Sequence, residues 1–367
     1  MLVLVALSFV VSLVLALLLV LGGRAQARLY GDDMPQRFHK GHIPRVGGVA
    51  IVLGCMAGWA LALLSTNISL PINVPVLGHD VVLWICTLLP VVAAGVYEDY
   101  TQRLHARWRL AAGALSAVIG CAVMGLSVQR LGLARVDSWW QMMPWLGVAL
   151  AFIAMAGLPH AFNIIDGYNG LAGIVAVLIC GAIAHVAMQL GDRNLAGMLM
   201  AVIGATLGFL YWNYPRGLIF AGDGGAYLWG GVIAIASITL VQRHPAVSPW
   251  FVMLLLIYPV CETLFSVYRK LVRGVSPGMA DSLHFHQLVY KRIVRGVFHD
   301  NETRRMLMRN NRTSPYLWAF TALTVVPAVL FWNNTVVLML FCAFFVMAYI
   351  LSYLMIVRFK VPRWLSR

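Results

Sequence analysis

The chain has 367 residues, 61% of them hydrophobic and only 11% charged, with a mean hydropathy of +0.82. A soluble domain of this size needs more charge to cover its surface, so composition excludes an ordinary soluble globular protein and makes lipid the main solvent. A net charge of +14 could serve nucleic acid, but cytosolic loops of membrane proteins also collect Lys and Arg, so the placement of the charges decides.

In chain order, the apolar run 1–21 comes first. It lacks a basic n-region and has the length of a spanning helix, ~20 residues, so it reads as a retained first span rather than a signal peptide. Ten further apolar segments follow near 46–66, 81–97, 108–128, 142–162, 170–190, 195–212, 225–242, 249–268, 315–332 and 335–357. Lipid offers no partners to backbone N–H and C=O groups, so all eleven are expected to be helices. The predicted fold class is all-α: a polytopic membrane protein, one integral domain over 1–367. The long hydrophilic stretch 272–314 reads as a loop. Within it, Leu288, Ile293, Val297 and Phe298 among Lys291, Arg292 and Arg295 suggest an amphipathic interfacial helix. Six cysteines lie singly in apolar runs without C-x-x-C spacing and read as packing residues. Trp139 and Trp140 beside the fifth span read as interfacial anchors.

An odd number of spans puts the termini on opposite sides. With the N-terminus outside, the inner loops and tail hold 23 Lys and Arg and the outer loops hold 4. That asymmetry predicts a periplasmic N-terminus and a cytosolic C-terminus, and accounts for the net charge with no nucleic acid. The thirteen acidic residues are not governed by this rule, yet only Asp80, Asp137 and Asp192 fall outside. Glu98, Asp99, Asp166 and Asp223 stand at or near inner span ends, where carboxylates are costly unless a cation or a water-filled cavity meets them. A divalent metal is the simplest such cation.

Five polar clusters fall on that inner side. They are Asp33 to His39 with Pro44-Arg45-Val-Gly47-Gly48; Gly95-Val-Tyr-Glu98-Asp99 with Arg103, Arg107 and Arg109; Asn163-Ile-Ile-Asp166-Gly167-Tyr-Asn169-Gly170; Phe220-Ala-Gly222-Asp223-Gly224-Gly225; and Asp281-Ser-Leu-His284-Phe-His286. Each has a plainer structural reading. Asp223 could cap a helix. Glu98 and Asp99 could be a solvated helix end, although acid there opposes the helix dipole. Asn163, Asp166 and Asn169, three apart, would share a helical face or cap the sixth span. His284 and His286 alternate and would share one face of an extended loop. Arg109 could be an ordinary cytosolic arginine, or could engage a phosphate bidentately.

Together, in this order and on one side, the clusters resemble the polyprenyl-phosphate N-acetylhexosamine-1-phosphate transferases. The chain departs from that family's pattern at Glu98, where the family usually has Asp, at His160, where it usually has Asn, at Asn169, often Asp, and at Gln287, usually His or Arg. The resemblance implies transfer of a sugar phosphate from a UDP-sugar to undecaprenyl phosphate with release of UMP, at the cytosolic face of a bacterial inner membrane. It implies Mg2+, with Mn2+ as an alternative, held by Asp223 and Asn163. Magnesium suits such a site because one or two protein oxygens suffice when phosphates and waters complete its shell. It further implies that Asp99, with Glu98, positions or deprotonates the lipid phosphate, that Asp166 contacts the donor, and that Asn169 reads the uracil edge. His284 and His286, with Arg273, and Arg109 would meet the donor phosphates, and Asp33 and Arg45 would bind substrate. Partners expected are the UDP-sugar, the lipid acceptor and the bilayer, with a homodimer left open. A phospho-N-acetylmuramoyl-pentapeptide transferase is the alternative within this chemistry. A secondary transporter is the alternative outside it, although no inverted repeat is visible.

Overall fold

The computed structural model describes residues 1–23, 42–64, 78–274 and 283–358, which form thirteen α-helices and no strand. Eleven are long and apolar enough to cross a membrane. They are α1 (Leu2–Gly22), α2 (Gly47–Leu64), α3 (Gly78–Thr101), α4 (Ala106–Val123), α6 (Pro144–Ile165), α7 (Leu171–Gln189), α8 (Arg193–Asn213), α9 (Gly222–Arg243), α10 (Pro249–Val272), α12 (Glu302–Leu330) and α13 (Thr335–Val357). The two short ones are α5 (Ala134–Met142) and α11 (Phe285–Leu288).

Lipid is as apolar as leucine, so spanning helices gain little by burying large side chains against one another and instead associate through small residues. The first helix follows this rule. Its buried stripe is Leu4, Ser8, Ser12 and Ala16, one residue per turn, while Val10, Val14 and Leu18 face outward. Opposite it, α8 presents Gly204 and Gly208, where a methyl group would lie 2.3 Å from the carbonyl oxygens of Val5 and Phe9. The first span is thus an integral part of the bundle.

At the centre lies α9. Nineteen of its 22 residues are buried, and α2, α3, α6 and α7 pack around it. Its N-terminal end meets the end of α3, the start of α4 and the end of α6. The opposite end of the bundle carries a separate ionic network, in which Arg243 meets Asp80 at 3.1 Å and His244 meets Asp192 at 3.2 Å. Arg130 there donates to the carbonyls of Val241, His244 and Val247, satisfying the open end of α9. Along α3, Asp80 stands at one end and Glu98 with Asp99 at the other, so these carboxylates partition between the two ends as their sequence positions predict.

Two elements differ from expectation. Residues 302–314 are helix rather than loop. Asn301 caps the backbone N–H of Arg304, and α12 runs 29 residues; its first turn is exposed, and further along Asn310, Thr313 and Ser314 face protein. The expected interfacial helix is only α11 followed by a π-helical turn, Val289–Ile293. Leu288, Ile293 and Val297 are buried inside the protein, and only Phe298 is exposed. Arg309 of α12 explains part of this. It donates to the carbonyls of Tyr290 and Val294 and lies over the Tyr290 ring, tying the segment down. The short α5, in contrast, buries none of its residues, and Trp139 is exposed on it.

Candidate active site

The site begins with a backbone pairing. Residues 44–48 run beside 220–221, with Phe220 N donating to Pro44 O, Gly47 N to Phe220 O and Gly48 N to Ala221 O. The chain then turns into α9 at Gly222, whose φ of +70° is a conformation open to glycine but costly for other residues. A side chain there would also strike the Arg45 carbonyl and the Asp99 carboxylate. The first N–H groups of a helix lack intrahelical acceptors and carry the positive end of its dipole. Asp99 meets that need from α3: its Oδ1 accepts from Asp223 N and its Oδ2 from Gly224 N, both at 2.8 Å. Asp99 is thereby a two-pronged cap on α9, fixing the residue that matters next.

Asp223 is buried, with its carboxylate drawn in three directions. Oδ1 accepts from Asn163 Nδ2 of α6 at 2.8 Å. Oδ2 accepts from Arg109 Nη1 of α4 at 2.6 Å and from Tyr227 OH, one turn further along α9, at 3.3 Å. Three helices, α4, α6 and α9, therefore meet at one carboxylate, while α3 caps the backbone beneath it. His160, one turn before Asn163, sets its ring edge-on to Tyr227 at 5.1 Å, so the histidine that replaces the expected asparagine lies beside the cluster.

Asp166 follows directly on α6, its backbone N–H closing the helix onto Phe162 O and Asn163 O. Burial pushes its carboxyl up from 3.8 to about 7, Arg45 opposes the rise, and the charge of Asp223 adds to it. A group in this range can hold or release a proton near neutrality. Arg45 and Asp166 thus share the electrostatic neighbourhood of Asp223.

The histidine loop reaches the same region from the other side. His286 is buried and lies edge-on to Tyr168 at 5.6 Å, and a methyl group on Gly167 would come within 2.9 Å of its Nε2. Tyr168 in turn stacks on Tyr290 at 5.3 Å. The ring of His284 is parallel to that of His286, with centroids 5.3 Å apart. Its Nδ1 lies 3.0 Å from Oε1 of Glu262, a fully buried carboxylate of α10. Arg273, expected to join the histidines, is exposed at the end of α10.

The structure therefore gathers Asp99, Asn163, Asp223 and Arg109 in direct contact, with Asp166 and Arg45 around them and His286 against the Asp166-Gly167 turn. Two predicted residues are engaged elsewhere. The side chain of Asn169 donates to Asn311 Oδ1 at 2.9 Å, its N–H donates to Asn310 and its carbonyl accepts from Ser314, so it fastens the α6–α7 turn to α12. The helix stops at Ile165, which breaks the three-residue periodicity before it reaches Asn169. Glu98 accepts from Leu104 N at 2.7 Å and closes the α3–α4 turn. Asp33 lies outside the described residues. Tyr227 and Glu262 are additions that spacing alone does not pick out. The signal for Glu262 was available, since a lone carboxylate inside an apolar span demands a partner.

Among the described residues, no three His, Cys, Asp or Glu side chains form a group able to hold a metal. What exists is one carboxylate, Asp223, with an amide, Asn163, beside it, and a guanidinium already pressed against the carboxylate. That donor set cannot make a closed protein cage, but it fits a hard divalent cation whose shell is completed by phosphates and waters.

Residues 81–241 match the family described as glycosyl transferase family 4. The chain is 24% identical over 289 residues to a probable undecaprenyl-phosphate N-acetylglucosaminyl 1-phosphate transferase of Bacillus subtilis, covering 77% of this chain and 76% of that one. It is 28% identical over 259 residues to an undecaprenyl-phosphate alpha-N-acetylglucosaminyl 1-phosphate transferase of Yersinia pestis, covering 69% and 67%. A phospho-N-acetylmuramoyl-pentapeptide-transferase of Streptococcus gordonii is 27% identical over 278 residues, covering 71% and 80%. The matched segment holds Asp99, Arg109, Asn163 and Asp223, the four residues in direct contact, so the likeness to glycosyl transferase family 4 includes the site itself.

Proposed function

We propose that this protein transfers an N-acetylhexosamine 1-phosphate from a UDP-sugar to undecaprenyl phosphate, releasing UMP and starting a lipid-linked polysaccharide. The observation that carries the reading is the convergence on Asp223 of a helix N-terminus, Asn163 and Arg109, with Asp99 and Asp166 alongside. In the reaction an oxygen of the lipid phosphate bonds to the sugar-bearing phosphorus, and the bond to UMP breaks. Such transfers need little covalent help and much charge neutralisation and alignment. Arg109 and the histidine pair supply positive or donor groups toward the diphosphate, and the capped start of α9 keeps Asp223 in register. Asp223 and Asn163 would hold a magnesium ion, which would supply neutralising charge to the phosphates. Asp166, with its raised pKa, can hold a proton near the reacting oxygens around pH 7.

The split of 23 basic residues to 4 supports a site open to the cytosol, where UDP-sugars are made. Relatives named for N-acetylglucosamine 1-phosphate transfer, and a loop reading His284-Phe-His286-Gln287, support a hexosamine donor over the bulkier pentapeptide donor. The test is UMP release from protein in detergent with undecaprenyl phosphate and a panel that includes UDP-N-acetylglucosamine and UDP-N-acetylmuramoyl-pentapeptide, with and without chelator. Metal-dependent release from the hexosamine is expected. Release only from the pentapeptide donor would select the alternative, and no release from any donor overturns the transferase reading.

A further inference from the structure

Glu262 is buried just past the middle of a spanning helix, with none of its surface exposed, and has no place in the chemistry above. An isolated carboxylate in such a setting is strongly disfavoured, and it is retained when something specific satisfies it. Its partners are three donors. Oε1 accepts from His284 Nδ1 at 3.0 Å and from Phe285 N at 2.8 Å, and Oε2 accepts from Tyr349 OH of α13 at 3.0 Å. Neutral imidazole carries its proton on either nitrogen, and in water on Nε2 more often. An ionised carboxylate only accepts hydrogen bonds, so an ionised Glu262 engages Nδ1 only if that nitrogen carries a proton. The ring is therefore locked at one nitrogen, and Nε2 is left outside the clamp. Gln287 tightens the arrangement from within the loop, its Oε1 accepting from His284 N at 3.2 Å.

The consequence passes to the site through stacking. His284 lies parallel to His286 within 6°, and His286 abuts the Gly167 backbone next to Asp166. The geometry points to Glu262 as a positioning residue: it anchors the histidine loop to α10 and α13 and holds His284 in the Nδ1–H tautomer, so that the histidine pair meets the donor diphosphate in one fixed orientation. This assignment rests on the transferase reading for the identity of the diphosphate, but not for the tautomer.

The experiment has two parts. In the first, 15N-histidine-labelled full-length protein in detergent is observed by NMR, with the His284 signal identified by its loss in His284→Asn. The Nδ1–H form is expected in the wild type and in Glu262→Gln, whose amide oxygen can take over the same N–H donors, and the Nε2–H form or a mixture in Glu262→Ala. An Nε2–H form in the wild type overturns the proposal without any variant having to fold. The second part is kinetic. Removing the partner that orients a functional histidine typically costs about 10–100-fold. The KM for UDP-sugar should therefore rise by about that factor in Glu262→Ala and be largely restored in Glu262→Gln, with the KM for undecaprenyl phosphate unchanged in both. Equal rises for both substrates, or none, would refute it. A wild type that releases no UMP removes the transferase reading, and the tautomer measurement still decides the role of Glu262.

Discussion

Alanine at Gly222 tests the central geometry most directly. The change adds one methyl group at a φ of +70°, where a non-glycine residue pays about 1–2 kcal/mol. The new carbon would stand 2.2 Å from the Arg45 carbonyl oxygen and 2.4 Å from Asp99 Oδ1, while such contacts essentially never fall under 3.0 Å, so the paired segments must part by roughly 0.8 Å. Neither obstacle is a flexible side-chain tip, since one is backbone and the other carboxylate is held by two N–H bonds. The displacement falls on the residue before Asp223, and misplacement of a reacting group by ~1 Å can cost about 10²-fold. Gly222→Ala should therefore lower kcat for UMP release by about two orders of magnitude while the protein still inserts and elutes as a single species. Gly157→Ala is the matched control, because nothing lies within 4 Å of its added carbon, and it should turn over like the wild type. If Gly222→Ala keeps its rate within about threefold, less than 1 kcal/mol of barrier, the tight turn does not position Asp223 for turnover.

Asp223→Asn keeps the shape and the hydrogen bond from Asn163 but removes the charge facing Arg109, so UMP release should fall by at least about 10²–10³-fold with membrane insertion unchanged. Chelator should abolish release and added Mg2+ restore it, while the melting temperature hardly moves, because no closed cage of protein ligands depends on the ion. Asp166 binds its proton more tightly in the folded protein, about 7 against 3.8, so ionising it costs folding stability. The cost opens above about pH 4 and is complete above about 7, so Asp166→Asn should raise the melting temperature relative to wild type at about pH 8 and leave it unchanged at about pH 4. Asn169→Ala removes the bond to Asn311 and should cost about 1 kcal/mol of stability, measured by thermal unfolding in detergent.

The eleven spans can be read from the sequence because lipid imposes a length and a composition on each. Only α12 begins well before its apolar run, and there the cap at Asn301 and the first-turn Glu302 were the available signs. The convergence of Asp99, Asn163, Arg109 and Asp223 is likewise readable, since charge at the same end of several spans has few places to go. Partner choice is not readable in this way. Asn169 follows the same spacing as its neighbours, but the chain leaves the helix at Ile165, and a buried amide then bonds whatever the turn brings close, here α12. Glu98 and Asp99 are adjacent in sequence yet point to different tasks, one closing a turn and one capping a helix 124 residues away. That distinction depends on which backbone donors stand opposite, and only the folded bundle supplies them.

The burial of α9 on nearly every side has a bearing on how substrates and protein can move. A carrier that exposes one site to two compartments in turn needs halves able to rock past each other, with the site at their seam. Here the helix bearing Asp223 works as an axle, gripped by four neighbours and fastened at both ends, by Asp99 on one and Arg130 on the other. An architecture of this kind suits a stationary post, as the proposed transfer requires.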